Sequence, residues 1–221
     1  MSVRHWRFGD DEAVVRSIVE RGGILLFPTE SSYAVGVDPR SKSAVEAVYR
    51  LKERERGKPL GVVVADPDQA IALGVRADDP AFHWARRHWP AARSVLVTVE
   101  RRLPAMGDAE RLSVRVPDHA GLRRLLAAVG PLTATSANSA GGTPIVDPGE
   151  ASRWVSRCLS CMSASGVGTV DCVTVDAGVL PGGAPSTVVS WVVLPQGGGR
   201  PEMIRVGRFS WPARPAPFDG T

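Results

Sequence analysis

Residues 23–36 read Gly23-Ile24-Leu25-Leu26-Phe27-Pro28-Thr29-Glu30-Ser31-Ser32-Tyr33-Ala34-Val35-Gly36 and join an apolar run to a loop of small polar side chains. An apolar run of this length between glycine and proline is typical of a buried strand. Pro28 has no N–H to give to a sheet, so we expect it to end the strand. Thr29 would then follow the carboxyl end of a strand, where open α/β sheets bind ligands. These residues alone are explained equally well by an ordinary strand and turn.

The length and composition of the chain are those of a globular protein. Its 221 residues make one large domain or two small ones. No apolar run approaches the roughly 20 residues of a membrane span, and the first residues lack the apolar core of a signal peptide. We therefore expect a cytoplasmic protein without membrane association. The net charge of +4 comes mainly from arginines, which suit phosphate and carboxylate ligands, although a GC-rich genome explains much of that bias.

Helical and strand patterns alternate from about residue 10 to residue 206. Helices are predicted near 10–21, 41–52, 67–73, 80–89, 118–129 and 147–158, with Asp10 and Asp118 capping the first and fifth. Strands are predicted near 23–27, 61–65, 94–99, 112–116, 132–135, 173–176, 186–194 and 203–206. No linker divides this region, so we expect one domain over residues 1–210. Residues 211–221 are rich in proline and are expected to form an extended or disordered tail.

Three polar loops follow three of the predicted core strands. They begin at Thr29, at Ser136 and at Ala177. Because open sheets align such strand ends at one edge, the loops can converge there, and small side chains let backbone amides approach an anion. The alternative is that serine, asparagine and glycine are simply what loops contain. The sequence has neither the phosphate-binding loop nor the dinucleotide-binding glycine motif, so the pattern predicts an anion or nucleotide site of another kind.

The cysteines give no strong signal. Cys158 and Cys161 form a single C-x-x-C pair, and Cys172 follows without a histidine nearby. A zinc site needs four ligands, or three and a water. We therefore expect unpaired thiols in a reducing compartment rather than a metal or redox site.

Six motifs, taken in this order, resemble the signature of the YrdC-like family. They are Pro28-Thr29-Glu30 with Tyr33-Ala34-Val35-Gly36; Leu51-Lys52-x-Arg54 with Lys58-Pro59-Leu60; Val114-Arg115-Val116-Pro117-Asp118-His119; Thr135-Ser136-Ala137-Asn138 with Gly141; Gly182-Gly183-x-Pro185-Ser186-Thr187-Val188; and Ile204-Arg205-x-Gly207. Any one of them is a weak signal. Together, over roughly residues 10–210, they are a strong one, and they match the short, single-domain form of the family.

The resemblance implies both a fold and a reaction. The fold is α/β, a twisted open mixed β-sheet with helices on both faces and a large basic concave cleft. The family makes threonylcarbamoyl-AMP from L-threonine, bicarbonate and ATP with release of pyrophosphate, and Mg²⁺ is expected on the pyrophosphate. A downstream tRNA threonylcarbamoyl transferase would then move the group to an adenosine of tRNA, and contact with tRNA or double-stranded RNA is expected.

The resemblance also assigns roles to nine residues. Lys52 and Arg54 would be catalytic. L-Threonine would be bound by three residues, with its carboxylate on the arginine: Thr29, Arg115 and Ser186. The nucleotide would be bound by Arg54, Lys58, Ser136, Asn138 and Arg205. No metal site on the protein's own side chains is expected.

One segment departs from the family pattern. Residues 89–94 read Trp89-Pro90-Ala91-Ala92-Arg93-Ser94, where the family has Trp-Pro-Gly-Pro before a threonine-rich strand. Two alternatives therefore stay open: a non-catalytic or divergent paralogue that binds nucleotide or double-stranded RNA, and the same chemistry on another amine. On the main interpretation, Arg54→Ala and Arg115→Ala are expected to abolish turnover and to leave the melting temperature nearly unchanged.

Overall fold

The computed structural model describes residues 3–164, 170–195 and 198–209. Within these ranges ten strands form one sheet: β1 (Arg4–Arg7), β2 (Ile24–Pro28), β3 (Tyr33–Gly36), β4 (Gly61–Val63), β5 (Arg93–Val97), β6 (Leu112–Arg115), β7 (Leu132–Ser136), β8 (Cys172–Asp176), β9 (Thr187–Val193) and β10 (Gly199–Arg205). Their spatial order is β1-β8-β2-β3-β7-β4-β6-β5-β9-β10. Strand β2 is parallel to β8 and antiparallel to β3, so the predicted mixed sheet is confirmed.

The helices cover both faces of this sheet. The same ranges contain α1 (Glu12–Glu20), α2 (Lys42–Leu51), α3 (Pro67–Ala72), α4 (Pro80–Arg86), α5 (Ala120–Val129) and α6 (Pro148–Ala164). Alternate residues of β2 belong to two different cores, because successive side chains of a strand point to opposite faces. Leu25 and Phe27 pack with α1 and α5, whereas Ile24 and Leu26 share a core with α2, α3, α4 and α6. The predicted α/β architecture with helices on both faces is confirmed.

Two predicted helix caps are wrong by one residue. Asp11 caps α1 by accepting from Ala13 N, because the neighbouring Asp10 carboxylate accepts from Arg7 N. In α5 the cap is His119, whose ring accepts from the third helical amide. The residue before each cap is held by another contact, since Asp10 accepts from Arg7 N and Asp118 N donates to the distant Glu30.

Strands β1 and β3 were not among the predicted elements. Strand β3 has only four residues, all of them buried, so it lacks the alternation of a half-exposed strand. Its last residue, Gly36, lies so close to β7 that a Cβ there would be 2.1 Å from Thr133 O. Strand β3 therefore sits tightly between β2 and β7, which brings the loop after β2 beside the end of β7.

Strand β6 shows how the sheet leaves one face open. Leu112 and Val114 are buried in the core with α2 and α4, while Ser113 and Arg115 point to the opposite face. Helices α1 and α5 cover that face only over the strands at the β1 side of the sheet. Ser113 and Arg115 therefore share one face of the predicted strand, and this face is the floor of a cleft.

One sequence prediction falls on another part of the chain. The predicted tail, residues 211–221, lies outside the described residues. Among the described residues, no helix is long and apolar enough to cross a membrane.

Candidate active-site cleft

An open cleft lies on the part of the sheet face that α1 and α5 leave uncovered. It encloses about 770 Å³, and its lining includes residues of β3, β4, β5, β6, β7, β9 and β10. Six of the nine residues predicted for the site line it: Thr29, Arg54, Arg115, Ser136, Ser186 and Arg205. The three polar loops lie at one edge of the sheet, as predicted, because β2, β7 and β8 run parallel to one another. Strands β4 and β6 run in the opposite direction, and their middle residues form the floor of the cleft.

The loop that begins at Thr29 is closed by its own hydrogen bonds. Thr29 Oγ1 donates to Ser32 O at 2.7 Å, and Thr29 N donates to the same oxygen at 3.1 Å. Gly182 N donates to Ser31 O at 2.8 Å, which joins this loop to the one that follows β8. The two loops therefore form a single wall of the cleft, in a shape fixed by the backbone.

Arg115 is a buried cation in the cleft. Its Nη1 atom lies 3.2 Å from Glu30 Oε2, and only 10% and 11% of the two side chains are exposed. The other carboxylate oxygen of Glu30 accepts from Asp118 N at 2.9 Å. Burial lowers the pKa of Arg115 from its ordinary value, and the charge of Glu30 opposes this shift. Glu30 thus offsets the cost of holding a guanidinium out of water, and Arg115 stays positioned for an anionic ligand.

This ion pair changes the stability expected for Arg115→Ala. Removing the guanidinium leaves the Glu30 carboxylate buried without its counter-charge, so the free energy of unfolding should fall by about 3–5 kcal/mol. Urea denaturation measures this difference. Arg205→Ala, which removes an exposed arginine of the same cleft, should cost about 1 kcal/mol or less. Equal small losses in both variants would contradict the buried pair.

Ser186 and Arg205 are joined to each other and to Ser94. The hydroxyls of Ser94 and Ser186 share a hydrogen bond of 3.1 Å. Arg205 Nη2 donates to Ser186 O at 2.8 Å and lies 3.3 Å from its hydroxyl. Ser94 belongs to the segment that departs from the family pattern, and its side chain lines the cleft. The segment that differs from the family pattern therefore contributes a side chain to the lining of the cleft.

In the part of the chain that the structure describes, one side-chain hydrogen bond holds Arg54 at the cleft. Its Nη2 atom donates to Pro59 O at 3.0 Å. Its Nε atom is buried and has no hydrogen-bond partner among the described residues. A buried donor left without a partner is costly, so this nitrogen is suited to an acceptor supplied by a ligand.

Lys52 lies behind the loop that begins at Ser136 and does not line the cleft. Its ammonium donates to Ser136 O at 2.7 Å, to Asn138 Oδ1 at 2.6 Å and to Asn138 O. It also lies 5.4 Å from the ring centre of Trp154. Burial lowers the pKa of Lys52 to about 8, so the side chain still carries its charge at neutral pH. All three of its N–H donors are used by this loop.

Asn138 and Lys58 are also outside the cleft lining. Asn138 Oδ1 accepts from Ser136 Oγ at 2.7 Å, so Asn138 supports the serine from behind. Lys58 pairs with Glu55 at 3.0 Å, and 61% of its side chain is exposed. Of the nine predicted residues, Lys52, Lys58 and Asn138 are the three that the structure does not bring into the cleft.

Four residues at the cleft were missing from the predicted site. Glu30 and Ser94 are described above. Arg111 lines the cleft near β9, and Arg208 Nη1 donates to Glu30 O at 2.9 Å and to Gly182 O at 3.0 Å. Glu30 lies within a recognised motif and could have been found there. No local pattern marks the other three, whose importance depends on long-range contacts.

Among the described residues, neither the cysteines nor other metal-ligating side chains form a second functional site. Cys158 is half-buried and Cys172 is buried, and burial raises the pKa of Cys172 to about 12. A thiol with such a pKa is inert at neutral pH. In the part of the chain that the structure describes, no group of three or more histidine, cysteine or carboxylate side chains could hold a metal ion.

Known proteins resemble this chain along most of its length. A model of the Sua5/YciO/YrdC family, described as "Telomere recombination", matches residues 17–207. A curated threonylcarbamoyl-AMP synthase of Marinobacter nauticus is 36% identical over 136 residues, which are 60% of this chain and 72% of that protein. One of Stutzerimonas stutzeri is 37% identical over 132 residues, 58% and 70% of the two chains. A Mycobacterium tuberculosis relative is 31% identical over 194 residues, 87% of this chain and 82% of its own.

Solved structures share the fold. E. coli YciO matches with a TM-score of 0.69 at 22% identity, over 95% of this chain and 98% of that one. P. abyssi Sua5, solved in complex with L-threonine, matches with a TM-score of 0.73 at 22% identity, over 94% of this chain and 58% of that one. This chain therefore spans less than two thirds of that Sua5. Since the family model covers most of the sequence and the fold agrees, the chain belongs to the Sua5/YciO/YrdC family.

Proposed function

We propose that this chain is a threonylcarbamoyl-AMP synthase, an enzyme that joins L-threonine, bicarbonate and ATP and releases pyrophosphate, for threonylcarbamoyladenosine modification of tRNA. The names of the curated relatives agree with the function that the motifs predict. The observation that carries the proposal is a single cleft of about 770 Å³ that combines guanidinium groups with small hydroxyls. Such a site suits two anionic reactants that must meet.

The chemistry requires little covalent participation from the protein. The amine of threonine and bicarbonate give a carbamate, and a carbamate oxygen attacks the α-phosphate of ATP while pyrophosphate leaves. The carbamate and the nucleotide are both anions and repel each other, so a cleft that holds both and stabilises charge on phosphorus supplies most of the rate. Four arginines line the cleft and supply positive charge: Arg54, Arg111, Arg115 and Arg205.

We assign the two ends of the cleft to the two reactants. At the threonine end, Arg115 binds the carboxylate, and Thr29 and Ser186 complete the pocket. At the nucleotide end, the guanidinium of Arg54, which lines the cleft, contacts the phosphates. The nucleotide is further contacted by Ser136 and by Arg205, which also donates to Ser186 O and so lies where the two ends meet.

The three predicted residues that do not line the cleft have indirect roles in this proposal. Lys52 and Asn138 act as positioning residues, because both hold the loop that begins at Ser136. Lys58 reaches the phosphates from the rim when its pairing with Glu55 opens. A phosphate is the stronger attraction, since an exposed ion pair contributes only about 0–1 kcal/mol.

Mg²⁺ is expected on the nucleotide rather than on the protein. The side chains that line the cleft include one carboxylate, that of Glu110. Mg²⁺ usually binds substrate phosphates with one or two carboxylates and several waters, and this donor set fits a cation that arrives with ATP. When bound, the ion would neutralise charge on the leaving pyrophosphate.

The reaction also implies a downstream enzyme and a cellular location. The product is a reactive mixed anhydride, so a tRNA threonylcarbamoyl transferase must consume it, and the enzyme would act in the cytoplasm where tRNA is modified. The arginines of the cleft and its rim are suited to transient contact with tRNA or double-stranded RNA. We propose residues 1–210 as the catalytic domain and residues 211–221 as a tail.

The test is pyrophosphate release by the purified full-length chain. Release should require ATP, bicarbonate and L-threonine together and should stop when any one is omitted. Absence of this dependence in folded protein would contradict the proposal. RNA affinity that falls steeply with salt, in the absence of turnover, would instead support the binding paralogue.

A second candidate is the same reaction on another amine. The hydrogen bond between Ser94 and Ser186 favours it, because it places a residue of the departing segment at the proposed threonine end. Pyrophosphate release across a panel of amino acids separates the two. A preferred substrate other than L-threonine would support this candidate.

A further inference from the structure

Glu30 is the side chain that holds Arg115 in place, yet Glu30 does not line the cleft. One of its carboxylate oxygens accepts from Asp118 N at the start of the loop before α5. The other lies 3.2 Å from Arg115 Nη1 and accepts no hydrogen bond of good geometry from the described residues. One carboxylate oxygen of Glu30 is thus held by a hydrogen bond, and the other interacts with Arg115 through its charge.

The backbone of Glu30 is fixed as well. Its carbonyl oxygen accepts from Arg208 Nη1 at 2.9 Å, and the same nitrogen donates to Gly182 O at 3.0 Å. The loop that follows β2, the loop that follows β8 and the segment after β10 therefore meet at this residue. A carboxylate held by its backbone and by one oxygen has little freedom to follow the guanidinium, so it sets the guanidinium's position.

Arg115 keeps binding capacity beyond this contact. A guanidinium has five N–H donors in a rigid fork, and the Glu30 contact engages the Nη1 end. The remaining donors are available on the side that faces the cleft, where Arg115 is part of the lining. Without a fixed partner, a buried guanidinium would turn towards any acceptor and lose the geometry that a bidentate carboxylate requires.

We propose that Glu30 is a positioning residue that orients Arg115 for the carboxylate of the amino-acid substrate and thereby sets amino-acid affinity without touching the substrate. The inference rests on the proposed function for the choice of ligand. It assigns to the acidic residue of the Pro28-Thr29-Glu30 motif a role at the floor of the cleft, on β6.

The test compares the binding of two ligands by titration calorimetry with the full-length chain. In Glu30→Gln the shape and the bond to Asp118 N can persist while the charge is lost. We expect the dissociation constant for L-threonine to rise about tenfold and that for ATP to change by less than about twofold. Glu30→Asp keeps the charge and should recover part of the loss. Glu46→Gln removes a carboxylate from an ion pair outside the cleft and should change neither constant.

A double variant separates orientation from general damage. In an Arg115→Lys background the fork is absent, so Glu30→Gln should change threonine affinity by less than about threefold. An undiminished tenfold effect in that background, no effect in the single variant, or equal weakening of both ligands would overturn the proposal. If the wild-type chain binds no amino acid, this inference and the proposed function both fail. If threonine binding depends on Glu30 but no pyrophosphate is released, the inference stands and the proposed function fails.

Discussion

Lys52→Met should abolish pyrophosphate release although Lys52 does not line the cleft. The ammonium holds two carbonyls and the side chain of Asn138 in the loop that carries Ser136. Methionine has a similar reach but no donor, so the carbonyls of Ser136 and Asn138 lose the ammonium and Asn138 Oδ1 keeps only Ser136 Oγ. The loop then no longer presents Ser136 in one geometry. Each unsatisfied buried group costs about 1–3 kcal/mol, but relief of the buried charge offsets part of this. We therefore expect a loss of about 1–3 kcal/mol in the free energy of unfolding.

The control is Lys58→Met in the same segment. Lys58 is exposed and, within the described ranges, its side chain pairs with Glu55 alone, so its loss should leave stability within about 0.5 kcal/mol of wild type. Thermal melting of both variants compares their stability, and pyrophosphate release and ATP titration compare Lys52→Met with the wild-type chain. Lys52→Met protein with wild-type ATP affinity would show that the loop does not need the lysine.

Arg54→Ala should lower kcat/KM about 100- to 1000-fold, the effect of removing one preorganised donor from a site of charge development. Arg54 brings a guanidinium into the cleft, and its Nε atom has no hydrogen-bond partner among the described residues. The protein makes one hydrogen bond to its side chain, at Pro59 O, so stability should change by about 1 kcal/mol or less. Steady-state pyrophosphate release and urea denaturation measure the two effects.

Arg56→Ala is the matched control for this variant. It lies two residues away, and its guanidinium pairs with Glu46 on the surface outside the cleft. Activity should stay near the wild-type value. A similar loss of activity in both variants would mean that the segment as a whole, rather than the cleft arginine, is needed.

Much of the fold could be predicted from local patterns because its core strands are apolar and its helices have caps. The strand that ends at Pro28, the prolines at the start of α3 and α4, and the alternation of β6 all persist in the structure. Strand β3 could not be predicted in this way. It is buried on both faces between β2 and β7, and its pairing rather than its composition makes it a strand.

The candidate site was harder to predict than the fold, because a motif gives residue types but not directions. Lys52 and Arg54 are two residues apart in one motif, yet one holds a loop from behind and the other lines the cleft. Glu30 and Arg115 are far apart in sequence and form one buried pair. Ser94 reaches the cleft only because β5 lies beside β9, a neighbour almost 100 residues later in the chain. Such contacts follow from strand order, which the sequence does not display.

A crystal structure of the full-length chain with a non-hydrolysable ATP analogue and L-threonine tests the central claim most directly. The account predicts both ligands in the one cleft, with phosphates on Arg54, the amino-acid carboxylate on Arg115, and the amine facing the α-phosphate with room for one carboxyl group between them. Ligands on separate surfaces, or a nucleotide in the cleft that leaves no space beside the α-phosphate, would contradict it.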